Sequence, residues 1–124
     1  MNDNKIELRQ EDIDMSGYLL SILKCRKIYL MSWGFESPVV ITLGLRFKVN
    51  GFKHKGYVEV KYNEGADLFD IYLIGNENQV KETLEGIYFD ELVDTIDEHV
   101  EQVDNYDERV NQEYNILTHD EEVI

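Results

Sequence analysis

Three histidines, one cysteine and 26 acidic side chains are what this chain offers for chemistry. His54, His99 and His119 are scattered, and no two of them stand at metal-ligating spacing. Cys25 is alone and has no obvious base, so neither a cysteine metal cluster nor an activated thiolate is indicated. There is no glycine-rich phosphate loop and no nucleophile elbow. Asp94, Asp97, Glu98 and Glu101 stand at a helical spacing that can gather a divalent cation. Calcium loops of known type, however, hold a glycine at a fixed place, and none is here. With so many carboxylates some pair must be close in space, so proximity alone does not argue for acid–base catalysis. The expectation is a protein with no enzymatic activity, no cofactor and no metal.

Two charged sets remain, and both suit binding. The formal net charge is −14, unevenly spread: residues 1–61 carry ten Lys/Arg against seven Asp/Glu, residues 62–124 two against 19. An acidic second half repels nucleic acid and anionic membranes and favours basic partners. Asp90, Glu91, Asp94, Asp97, Glu98 and Glu101 flank an apolar helical stripe and form a candidate partner-binding face. Carboxylates in such a row can imitate phosphates and occupy a basic groove on a nucleic-acid-handling protein. The plainer explanation of the same pattern is a solvated helix face. The second set is Arg46, Lys48, Lys53 and Lys55 with Tyr57, at the tip of an expected hairpin. A two-stranded ribbon can enter a major groove and a tyrosine can stack on a base, which makes direct nucleic-acid contact the alternative. The net charge opposes it. A further alternative is self-association, the basic tip of one copy meeting the acidic helix of another in contacts that form open chains unless a ring closes.

The element that must position the basic set is written from Val39 to Tyr62. Val39, Ile41, Leu43, Leu45, Phe47 and Val49 alternate with a second row. Asn50-Gly51 follows, a strong signal for a two-residue type I′ turn. Such a turn makes Phe47 face His54, Leu45 face Gly56 and Leu43 face Val58, with Lys48 opposite Lys53, Arg46 opposite Lys55 and Gly44 under Tyr57. Like charges directly opposite cost a few tenths to ~1 kcal/mol per pair. Solvent, a bound anion, or the acidic residues 115–124 folding back must then offset the tip cations.

A third strand is expected over Leu68 to Ile74, with Phe69 facing Tyr62, Ile71 facing Val60, Leu73 facing Val58 and Lys61 beside Asp70. A short edge strand follows from Val80 to Glu85, where Lys81, Glu82 and Glu85 discourage further pairing. From Tyr88 to Val103 the period changes to 3.6, with Phe89, Leu92, Val93, Ile96, Val100 and Val103 in one stripe. His99 sits at the margin of that stripe. Asp104 or Asn105 can cap a short last helix over Tyr106 to Tyr114.

Before the sheet, residues 1–14 read as a flexible N-terminus, and Asp14 or Ser16 can cap a helix running to about Leu30. Trp33 and Phe35 are expected to close one end of the core, with an exposed stacking role for Trp33 as the sharper possibility. Residues 15–114 form one α+β domain with its core in 31–114, and residues 115–124 an acidic tail. The fold expected is a mainly antiparallel meander of three to four strands with the C-terminal amphipathic helix packed on one face. The apolar run from Tyr18 is broken at Lys24, too soon for a membrane span, so a cytoplasmic location is expected.

Several stretches together carry a resemblance. They are Met31-Ser32-Trp33-Gly34, the run from Gly51 to Gly56, the run from Tyr62 to Phe69, Leu92 to Asp97, and Arg109 to Tyr114. Over roughly residues 31–114 the chain resembles small uncharacterised acidic proteins of Bacteroidetes, often associated with mobile elements. The resemblance brings no catalytic residues. It implies that Met31 can start the folded unit, with residues 1–30 an extension, and it suits an inhibitor of host defence.

Overall fold

A computed structural model describes residues 7–101. The chain opens with two helices, α1 (Gln10–Lys24) and α2 (Lys27–Trp33). α1 begins at Gln10, ahead of the expected Asp14 or Ser16 cap. Asp12, at its third position, accepts the Arg9 backbone N–H at 2.8 Å and so satisfies a donor at the helix start. The single helix expected to run to Leu30 is interrupted at Cys25-Arg26. α2 then ends at Gly34, whose φ of 67° is the left-handed C-cap that glycine adopts without penalty.

Five strands follow: β1 (Glu36–Ile41), β2 (Gly44–Asn50), β3 (Lys55–Asn63), β4 (Leu68–Ile74) and β5 (Val80–Ile87). They form an antiparallel sheet in the order β1-β2-β3-β4-β5. The sheet has five strands, where three or four were expected, because the long arm from Val39 to Val49 breaks at Thr42-Leu43. Leu43 takes a φ of 46° there. Its N–H donates to the buried Asp12 carboxylate at 2.8 Å, and its carbonyl accepts the Tyr62 N–H at 2.8 Å. One acid thus ties the start of α1 to the β1–β2 turn, a contact that hydrophobic alternation cannot reveal.

The β2–β3 register also corrects the expectation. Asn50 pairs with Lys55, Val49 with Gly56, Phe47 with Val58 and Leu45 with Val60. Residues 51–54 form a four-residue loop, and neither Asn50 nor Gly51 has the positive φ that a type I′ turn needs. The loop is held by the end of the helix over Leu92–Val100: Lys53 N–H and His54 N–H both donate to the Val100 carbonyl, at 2.8 and 3.2 Å. Because the shift is even, the side chains of β2 and β3 keep their faces. In β1 the break at Thr42-Leu43 reverses them, so that Val39, expected inward, pairs with Arg46 and is exposed, and Val40 pairs with Leu45. The β3–β4 register matches the expectation, with Tyr62 facing Phe69, Val60 Ile71, Val58 Leu73 and Lys61 Asp70. β5 runs to Ile87 at the sheet edge, two residues past the expected end.

A short 3-10 turn (Phe89–Glu91) leads into α3 (Leu92–Val100). Phe89, expected in the apolar stripe, is exposed. The core lies on one face of the sheet. Leu45, Phe47, Val49, Val58, Val60, Phe69, Ile71 and Leu73 meet Leu19, Leu23 and Trp33 from the first helices and Leu92, Val93, Ile96 and Val100 from α3. Each large apolar side chain buried this way contributes about 1.5–3 kcal/mol. Leu19 and Leu23 precede Met31, so residues before it supply part of this core. Val103, His119, the expected helix over 106–114 and the tail 115–124 lie outside the described residues.

His54 is buried against the end of β3, its Nε2 3.1 Å from the Tyr57 carbonyl. Burial pushes its pKa below the ordinary value of 6.5. The folded state therefore favours the neutral ring. The associated stability is fully present above about pH 6.5 and is lost as pH falls towards the lowered folded value. The urea midpoint is expected to fall between pH 7 and pH 5, and to fall less in His54→Gln. Equal slopes in the two proteins would remove His54 from the explanation.

Candidate functional site

α3 lies between α2 and β5, and its two flanks have different partners. On one flank the Arg26 guanidinium of the α1–α2 junction donates to Asp94 at 3.0 Å, and the Trp33 indole N–H donates to Asp97 at 2.9 Å. On the other, His99 Nε2 stands 3.8 Å from the Glu82 carboxylate of β5. His99 Nδ1 lies 2.9 Å from the Thr95 carbonyl. His99 is half-buried, in keeping with its place at the edge of the apolar stripe.

This arrangement splits the six carboxylates expected on one partner face. Asp90, Glu91, Asp94 and Glu98 are exposed. Asp97 and Glu101 are not: they are 6% and 2% exposed. Asp97 follows Val93 by one turn and adjoins Ile96, so the inward sector of α3 extends to it. Buried, it supplies the acceptor that the enclosed Trp33 indole needs. Trp33 is wholly enclosed, stacked on Phe47 with ring centroids 6.4 Å apart, which rules out its exposed stacking role. Glu101 accepts the Phe52 N–H at 3.1 Å and helps to hold the β2–β3 loop. Sequence reading missed both roles. The available signals were the position of Asp97 on the stripe's margin and a lone tryptophan in need of an acceptor.

In place of the two lost carboxylates the fold brings others. Glu82 and Glu85 of β5 and Glu77 of the preceding turn are exposed. The His99–Glu82 approach places Glu82 beside the acids on that flank of α3, whereas Glu85 stands near Tyr72 on the other face of the sheet. Lys81 is the cation of that strand.

The basic set is dispersed by the corrected register. Arg46 faces Glu59 instead of Lys55, and its guanidinium donates to the Glu59 carboxylate at 2.7 Å and to Asn78 Oδ1 at 2.8 Å. It also lies over the Tyr57 ring, 4.3 Å from its centroid. Lys48 pairs with Tyr57 across the strands instead of with Lys53. Lys53 donates to the Glu98 carbonyl at 2.8 Å, where a cation meets the negative end of α3. Lys55 donates to the Gly51 carbonyl at 3.1 Å. The like-charge conflict expected at the tip does not arise. Gly44 pairs with Lys61, not Tyr57, and a side chain there would overlap the Val60 carbonyl.

A hollow of about 330 Å³ opens beside Leu8, Val40, Ile41 and Thr42, and its charged lining groups, Glu59 and Lys61, stand 3.6 Å from one another. Among the described residues no group of three or more His, Cys, Asp or Glu side chains is placed to hold a metal ion. No helix among them is long and apolar enough to cross a membrane. Comparison with protein-family models, with curated proteins and with solved structures returns no match.

Proposed function

We propose that the chain is a non-catalytic binding protein that engages a basic protein partner in the cytoplasm through the carboxylates of β5 and α3. The observation that carries this reading is the approach of Glu82 to His99, which brings an acid of the edge strand beside Glu91 of the 3-10 turn and Glu98 of α3, while Asp94 is held by Arg26 on the other flank. Asp97 and Glu101 support the surface from inside and make no partner contact. Three of the four hairpin cations, Arg46, Lys53 and Lys55, already have partners within the fold, and so direct nucleic-acid contact has less to rest on. Cys25 is a free, exposed thiol, which suits a reducing compartment. The likeness to mobile-element proteins suits a partner that handles nucleic acid, with the carboxylates standing in for phosphates.

The test is capture from nuclease-treated host lysate with three proteins. Wild type and a tail variant (Asp120→Asn, Glu121→Gln, Glu122→Gln) are expected to retain the same basic protein. A variant with Glu82→Gln, Glu91→Gln and Glu98→Gln, matched in charge change, is expected to lose it. Loss by both variants alike would mean that net charge alone drives capture, and retention by both would remove the site.

A further inference from the structure

The two edges of the sheet are not alike. β1 is six residues long and contains Pro38, which has no N–H to offer. Ser37 takes a φ of 57° there, and the β1–β2 register shifts between Glu36 and Val39. A neighbouring strand meets an interrupted ladder on that side. β5 is eight residues long and contains no proline; its ladder with β4 shifts between Phe69 and Ile71 and between Leu73 and Ile74, and no described strand lies on its other side. Exposed apolar groups flank it: Val80 at its start, Tyr88 and Phe89 just past its end, each more than half exposed.

The side chains around this edge define what can add to it. Glu82 and Leu84 pair with Leu73 and Ile71 and so point to the helix side, where Glu82 approaches His99. Glu91 lies one turn before Thr95, and Glu98 directly precedes His99. Alternate residues of a sixth strand would face this carboxylate group. A second copy of the chain is a poor occupant. Antiparallel pairing of two β5 strands keeps each copy's helix side on the same face, so Glu82, Glu91 and Glu98 of both copies meet there, like charge beside like. A strand with basic residues at every second position meets the opposite charge instead.

We propose that β5 is a strand-addition site for an extended basic segment of the partner, with backbone hydrogen bonds along β5 and alternate Lys or Arg side chains towards Glu82, Glu91 and Glu98. This rests on the acidic-surface reading and specifies its mode. The probe is a labelled eight-residue peptide of alternating valine and lysine, titrated against the full chain by fluorescence anisotropy. Its control has the same sequence and charge but N-methyl groups on the valines, which remove the strand's donors on one edge. The alternating peptide is expected to bind about tenfold or more tightly than the control, a difference of about 1.4 kcal/mol. Amide exchange followed by NMR is expected to slow at β5 residues facing away from β4. Equal affinity for the two peptides would overturn strand addition and leave the acidic surface standing. Protection at β1 instead would overturn the choice of edge. No binding by either peptide at low salt would overturn both the mode and the surface.

Discussion

Trp33→Ala is expected to lower the unfolding free energy by about 3–5 kcal/mol, the range for emptying a buried aromatic site. Trp33 is the largest fully enclosed side chain, and it joins α2 to both the sheet and α3. Its ring stacks on Phe47, and its indole N–H reaches Asp97. Two smaller changes separate packing from polarity. Trp33→Phe keeps most of the apolar contact but removes the donor from a buried carboxylate, at about 1–3 kcal/mol. Asp97→Leu removes the acceptor from a buried indole at a similar cost. The double variant is expected to recover part of the sum, because the two groups satisfy one another. Urea titrations of the four proteins measure the coupling, and strict additivity would show that the pair does not act as a unit.

The second large effect is expected at Gly51. A Cβ there would overlap the Val100 carbonyl oxygen and press on the Val100 side chain and the Glu101 carboxylate. The backbone of the β2–β3 loop lies directly on the end of α3, and that carbonyl also receives the Lys53 and His54 N–H groups. Gly51→Ala must push the loop away from the helix, an overpacking change that costs about 1–3 kcal/mol, with hydrogen-bond loss in addition. Amide exchange at Lys53 and His54 is expected to rise well above the global rate. Gly65→Ala is the control: it sits in the β3–β4 turn with an ordinary contact of 3.5 Å and is expected to be much milder. If both variants lose stability equally, close approach to Val100 is not the reason for glycine at position 51.

Gly51 also shows how sequence and tertiary contact divide the work. Local turn chemistry reads Asn50-Gly51 as a tight hairpin, because that pair tolerates positive φ. In the fold the glycine serves another end, making room for the last turn of α3. Nothing within ten residues of Gly51 carries that information. The acidic face divides in the same way. Glu91, Asp94 and Glu98 are exposed, as the helical pattern implied. Asp97 and Glu101 were assigned to the same surface because carboxylates are rarely enclosed without partners, and their partners, Trp33 and Phe52, lie 64 and 49 residues away.

What the amino-acid order determined by itself is the periodic part. The strand-forming runs, the faces of β2, β3 and β4, the β3–β4 register and the apolar stripe of α3 follow from alternation and helical spacing, whereas the faces of β1 are reversed by the break at Thr42-Leu43. Those are properties of neighbours along the chain. Tertiary structure decided the break at Thr42-Leu43, the four-residue loop, the dispersal of the hairpin cations and the inward turn of two acids. Each of these depends on a hydrogen bond or close contact between residues far apart in the chain: Asp12 with Leu43, Lys53 with Glu98 and Val100, Asp97 with Trp33. A backbone polar group or buried carboxylate must find a partner wherever the fold supplies one. That requirement is satisfied in space and leaves no period in the sequence.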